Sequence, residues 1–306
     1  MVLAGGTGGA KLAAGLQDVL GDGLAVVANT ADDVEVLGIH VSPDPDLVTY
    51  WLSDQIDEQR GWGIRDDGFT VFDRLVELGA PDWFKLSDRD LATCIYRTSF
   101  VAEGGSFTAA QDQIASRLGA RARVLPMSEQ PVRTRVRTAE GWRGLQQYLV
   151  AERGEPAVEG VEVEGIADAQ PTPEVLEAIA GAQAIVIGPS NPVISIGPIL
   201  AIPGIRDAIA AAPAPVVAVS PYVAGRVVKG PTDAFMRALG RPTDAAGAAS
   251  MYEGLLDGLV CDDGDPEPPP ERPQSLVRPT LMDGQAGRRT LAVATLEFAE
   301  SLAAPA

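Results

Sequence analysis

Val2-Leu3-Ala4-Gly5-Gly6-Thr7-Gly8-Gly9-Ala10-Lys11-Leu12 is the stretch from which the rest of the chain is read. Three apolar residues run into four glycines within five positions, and then Leu12, Leu16, Val19 and Leu20 return at the spacing of one helix face. The pattern predicts strand, glycine turn, helix. Glycine tolerates positive φ and lets a ligand approach the backbone, while a helix start offers unpaired N–H groups and the positive end of its dipole. A phosphate or pyrophosphate suits such a turn, with Gly6, Thr7, Gly8, Gly9 and Lys11 as candidate contacts. Two familiar templates fail: Leu12 replaces the hydroxyl residue that follows the lysine of a P-loop, and Lys11 replaces the third glycine of a dinucleotide fingerprint.

The next strand, Leu24 to Ala28, stops at Asn29-Thr30-Ala31-Asp32-Asp33, and Ser42-Pro43-Asp44-Pro45-Asp46 follows shortly after. Open α/β sheets place their ligands at such carboxyl strand ends. Four carboxylates in so short a span repel one another, so a cation or hydrogen-bond donors are expected if they converge. The alternative is that Asp44 and Asp46 only cap a helix while Asp32 and Asp33 face solvent. A second strand-end loop is expected at Gly188-Pro189-Ser190-Asn191-Pro192, after the apolar run Ala184 to Ile187. Ser190 and Asn191 bring donors and acceptors suited to a phosphate or a purine edge.

Apolar strand, glycine or proline loop, and helix thus recur in residues 1–66 and 171–306, which predicts one α/β core. Its fold class is a Rossmann-like, mainly parallel sheet flanked by helices. Residues 67–170 are expected to form a largely helical insertion with a small sheet of its own, in which Val124-Leu125 and Val132 to Val136 read as strands. Thr108 and Gln111 fit a capping box, and Thr172-Pro173 fits a helix start. Leu259-Val260 reads as the last core strand, before a proline-rich acidic loop from Asp262 to Pro273. Trp62, between Gly61 and Gly63, is placed either to stack on a flat ligand or to plug the surface. Lys85 is one of only three lysines.

With 306 residues, 46% of them hydrophobic, the chain can bury a large core, and no apolar run is long enough to span a bilayer. It opens on a strand without a signal-peptide pattern, which implies a cytoplasmic protein. Cys94 and Cys261 show no metal-ligand spacing and read as buried thiols, and His40, the only histidine, reads as structural. The net charge of -18 argues against nucleic acid and anionic membranes as partners. Acid excess with few lysines fits a high-salt cytoplasm, where screening relieves self-repulsion, as in a halophilic archaeal protein. Bias in a GC-rich genome explains arginine over lysine but not the acids.

Taken together, Gly5 to Leu12, Asn29 to Asp33, Ser42 to Asp46, Gly61-Trp62-Gly63, Lys85 to Asp90 and Gly188 to Pro192 resemble, in the same order, the motifs of the CofD family. The runs Ile194 to Leu200, Ile202 to Arg206 and Gly254 to Gly258 extend the resemblance over nearly the whole chain. That family, also called FbiA, is the 2-phospho-L-lactate transferase of deazaflavin coenzyme F-420 biosynthesis. The resemblance implies transfer of a phospholactyl or phosphoenolpyruvyl group from lactyl- or enolpyruvyl-diphosphoguanosine to the deazaflavin Fo, with release of GMP. It implies that Asp46, Lys85 and Trp62 contact Fo, that Asp32 and Asp33 hold Mg²⁺, and that Gly188 to Asn191 line the guanosine side. Asp46 and Asp33 become the expected catalytic pair, the insertion is expected to cover the acceptor side, and a homodimer is expected. A YvcK-type regulator, which binds nucleotide sugars without catalysis, is the alternative.

Overall fold

The computed structural model describes residues 1–303. Seven strands form one parallel sheet in the order Gln274–Arg278, Gly258–Asp262, Val216–Val219, Ile185–Ile187, Val2–Ala4, Ala25–Ala28, Arg123–Pro126. The central strands are short apolar runs with every residue buried, as expected where helices cover both faces. Alternate side chains serve opposite faces. Val2, Ala4, Val26, Ala28 and Val217 face the helices Gly6–Leu20, Pro43–Leu52 and Gly284–Leu302. Leu3, Val27, Ile185, Ile187 and Ala218 face Pro173–Ala180, Ile205–Ala211 and Ala245–Ser250. This is the Rossmann-like α/β architecture read from the sequence.

The expected insertion needs one correction. Arg123–Pro126 pairs in parallel with Ala25–Ala28, from Ala25 opposite Arg123 to Ala28 opposite Pro126, and so belongs to the main sheet. The separate small sheet is antiparallel and consists of Arg133–Thr138 between Gly141–Gly144 and Gly160–Glu164. It is tied to the strand-end loop of the main sheet by Thr134 N–H donating to Ala31 O at 2.7 Å. A second parallel edge strand, Gln274–Arg278, lies beyond Gly258–Asp262, so the expected last strand is not the last.

Helix starts follow local chemistry. Thr172 caps Pro173–Ala180 by accepting from Val175 N, as its sequence predicts. The helix Phe107–Leu118 is capped by Ser106, which accepts from Ala109 N, and not by Thr108. The Glu129 carboxylate takes the amides of Phe107 and Thr108, and Gln111 reaches Thr49 Oγ1 instead of closing a capping box. Among the described residues no single helix is long and apolar enough to cross a membrane. The one apolar pair, Pro192–Ala201 and Ile205–Ala211, is bent by 82° and packs into the core with Ile196, Ile199, Ile205 and Ile209.

Candidate active site

From the adjacent strands Val2–Ala4 and Ile185–Ile187 the sheet extends toward opposite edges, so the strand order reverses between them. Such a reversal leaves a crevice at the carboxyl ends of the strands. A cavity of about 640 Å³ opens there, walled by both strand-end loops, Gly5 to Gly8 and Pro189 to Asn191, together with Lys11. Leu145, Leu149, Val223 and Pro231 give it an apolar side. The fold thus brings together the glycine turn and Ser190-Asn191, each read from the sequence as part of a strand-end loop.

The glycines divide into two jobs. The helix begins at Gly6, so Gly8 and Gly9 are already in its first turn. A Cβ on Gly8 would lie 2.1 Å from Pro189 O, and one on Gly9 would lie 2.3 Å from Ser190 Oγ. These two residues let the helix press against the second loop, and Gly9 faces Ser190 instead of the cavity, contrary to its expected phosphate contact. Gly6, at φ +59°, has open space beside it, and the amides of Thr7 and Gly8 make no hydrogen bond among the described residues. Ser190 Oγ accepts from Gly5 N at 3.2 Å. Asn191 Oδ1 accepts from the amides of Val193 and Ile194, which leaves its Nδ2 group for a ligand.

The four acids are all buried, but only two line the cavity: Asp32 and Asp44. Asp44 accepts from Gly6 N through one oxygen and from Asn29 Nδ2, at 2.9 Å, through the other. Asn29 Nδ2 also lies 3.5 Å from Asp32 Oδ1, and Gln146 Nε2 donates to Asp32 Oδ2 at 3.3 Å. Burial pushes the Asp44 carboxyl up to about 6, against the lowering effect of the Asn29 and Gly6 bonds. Burial, with the charges of Asp44 and Asp33 added to it, raises Asp32 well above the carboxylate range. A cation between Asp32 and Asp44 would relieve that repulsion.

Asp33 and Asp46, the expected catalytic pair, do not line the cavity and are engaged by other side chains. Ser42 Oγ donates to Asp33 Oδ1 at 2.7 Å, and His40 Nε2 lies 2.7 Å from Asp33 Oδ2, so both carboxylate oxygens are taken. Asp46 is in direct contact with Arg97, which is fully buried. Burial drives the Asp46 carboxyl up, and the charge and hydrogen bond of the touching guanidinium oppose that rise. Asp90 and Cys94 approach Asp46 closely enough to resemble a metal-ligand set, but Arg97 already neutralises the cluster.

Lys11, Arg153 and Lys229 also line the cavity, and none makes an ion pair among the described residues. Only Lys11 was singled out from sequence; Arg153 and Lys229 stand alone in loops, where no spacing marks them. Lys85 and Trp62 do not line the cavity. They meet instead around Phe69, with the Lys85 ammonium 4.0 Å from its ring centroid and the Trp62 ring at 6.2 Å. Trp62 is 39% exposed. Its loop reaches the cavity rim through Gly61, whose carbonyl accepts from Lys229 Nζ at 3.1 Å.

Comparison with known proteins shows the family of the chain. Residues 1–291 match the family model described as 2-phospho-L-lactate transferase CofD. The chain is 43% identical over 266 residues to the 2-phospho-L-lactate transferase of Methanosarcina mazei, covering 87% of each chain. It is 39% identical over 315 residues to the phosphoenolpyruvate transferase of Streptomyces griseus, covering 99% of each. A solved structure of a UPF0052-family protein from Bacillus halodurans superposes with a TM-score of 0.61 at 18% identity, covering 96% of this chain and 98% of that one, which speaks for the fold alone. With curated relatives that are transferases, the regulator alternative is not favoured. The chain belongs to the CofD family of 2-phospho-L-lactate transferases.

Proposed function

We infer that this protein transfers a phospholactyl or phosphoenolpyruvyl group from lactyl- or enolpyruvyl-diphosphoguanosine to the terminal ribityl hydroxyl of the deazaflavin Fo, releasing GMP. The observation that carries the reading is the gathering, in one cavity, of two buried acids with two amides and three cations that have no hydrogen-bond or ion-pair partner, respectively, among the described residues. Thr7 N–H, Gly8 N–H, Lys11 and Arg153 suit the diphosphate, while the Asn191 amide and the Leu145, Leu149 and Val223 wall suit a base and its sugar. The exposed Trp62 ring, next in sequence to Gly61 at the rim, offers a stacking face to a planar acceptor.

In the transfer, the hydroxyl oxygen of the acceptor bonds to the phosphorus that bears the lactyl or enolpyruvyl group. The bond from that phosphorus to the oxygen shared with GMP breaks, GMP keeps the electron pair, and the hydroxyl proton leaves to a carboxylate or to water. The work of the protein is to hold the two substrates in line and to stabilise charge on the phosphoryl oxygens. Asp32 and Asp44 fit a divalent cation such as Mg²⁺, because burial raises the proton affinity of both, the Asp44 charge adds to the rise at Asp32, and both line the cavity. Such a cation would neutralise the diphosphate and polarise its oxygens. Asn29, which touches both acids, sets their spacing. The test is incubation with Fo, Mg²⁺ and each donor, followed by mass spectrometry. A product heavier by one phospholactyl or phosphoenolpyruvyl group, together with GMP, is expected; no product with either donor overturns the reading.

A further inference from the structure

Lys229 touches both halves of the site. Its Nζ donates to Gly61 O at 3.1 Å and lies 3.5 Å from Thr7 Oγ1. Thr7 belongs to the helix start that faces the diphosphate end, and Gly61 opens the Gly61-Trp62-Gly63 loop at the rim. The contact is built into the backbone at residue 61. Gly61 stands at φ +73°, and a Cβ there would lie 2.5 Å from Lys229 Nζ, so any other residue would push the ammonium away.

The charge on Lys229 is unanswered. Neither it nor Lys11 has a carboxylate within ion-pair distance among the described residues, although the chain carries 42 acids and only three lysines. Partial enclosure and the nearby Lys11 charge both lower its pKa, the behaviour of two cations that share a wall without an anion between them. An ammonium has three N–H donors, so a phosphate oxygen can join the Gly61 carbonyl instead of displacing it.

Resting on the transferase reading, we propose that Lys229 is a positioning residue that couples the two substrate subsites. The diphosphate of the donor anchors its ammonium, and the anchored ammonium fixes the Gly61 carbonyl, and with it the Trp62 ring, for the planar acceptor. Coupling of this kind is reciprocal, so each substrate tightens the other by the same factor.

Fluorescence titration of Fo, with and without saturating GDP as a probe for the diphosphate half of the donor, tests this. In the wild-type protein GDP should lower the Kd for Fo by about five-fold or more, the low end of usual coupling between sites. Lys229→Gln should bind each ligand alone, GDP more weakly, and lose the tightening. Gly61→Ala should lose it too while keeping the lysine, which separates loss of the contact from loss of the charge. Full tightening retained in Lys229→Gln overturns the proposal, as does a wild-type protein that binds both ligands with no coupling. A wild-type protein that binds neither removes the transferase reading itself, and this inference falls with it.

Discussion

His40 Nε2 lies 2.7 Å from Asp33 Oδ2, and this contact turns the second of two adjacent acids away from the cavity that the first one lines. Ser42 holds the other oxygen of Asp33, and Asp44, one helix residue beyond Pro43, takes the place beside Asp32. We therefore propose Asp32 and Asp44 as the acids that would hold a divalent cation. Asp44→Asn and Asp32→Asn should each lower metal-dependent turnover by about a hundred-fold or more, the scale of losing one preorganised charge contact. Asp33→Asn should keep its metal dependence. Turnover against Mg²⁺ concentration for the three variants decides it, and a normal curve for Asp44→Asn would sink the pairing.

Asp46 and Arg97 form a buried ion pair between the helices Pro43–Leu52 and Asp88–Ala102. Gln111 Oε1 accepts from the same guanidinium at 3.3 Å. Removing one partner strands a charge out of water, which costs about 3 to 5 kcal/mol. Arg97→Met should lower unfolding stability by that amount in urea titrations. Asp46→Asn should likewise show its loss in stability, with Fo affinity nearly unchanged at temperatures where the variant stays folded. A variant of normal stability that fails to bind Fo would return Asp46 to the acceptor site.

How much of this was legible in the sequence depends on the kind of signal. Val2–Ala4, Ile185–Ile187 and Val216–Val219 are unbroken apolar runs bounded by glycine, proline or serine, and such runs announce buried strands. Arg123–Pro126 lies behind two helices and opens on an exposed arginine, so its place at the sheet edge follows only from its pairing with Ala25–Ala28. Gln274–Arg278 alternates weakly and has no fully buried residue, so no apolar run marks it as a strand. Within the site, the glycine turn and Asn191 carry local patterns. The choice of Asp44 over Asp33 depends on His40 and Ser42, and the choice of Lys229 depends on a carbonyl 168 residues away. Contacts so distant leave no spacing to read.

The acid excess predicts a salt response. With 42 acidic and 24 basic side chains, self-repulsion opposes the compact state. The Debye length shrinks from about 10 Å at 0.1 M to about 3 Å at 1 M salt, so Tm should rise over that range. Scanning calorimetry in sodium chloride or potassium chloride would show it. A flat or falling Tm would leave composition without a role in salt adaptation.

Asp90 gives stability a pH dependence whose sign can be worked out. Its side chain is buried, and Tyr50 OH donates to Asp90 Oδ1 at 2.7 Å. Burial and then the Asp46 charge push the carboxyl up to about 7, with Asp67 adding to the rise and the Tyr50 bond and Arg97 opposing it. The ordinary value is 3.8, so between that and about 7 the folded chain holds a proton that the unfolded chain has released. Stability therefore falls as pH rises through this window and levels off above it. At about 1.4 kcal/mol for each unit of pKa, the loss is at most about 4 kcal/mol. Asp90→Asn keeps a carbonyl oxygen for Tyr50 and removes the ionisation. It should match the wild type near pH 4 and exceed it at pH 8, as urea unfolding at the two pH values would show. Equal stabilities at both would mean that Asp90 ionises in the fold as it does in water.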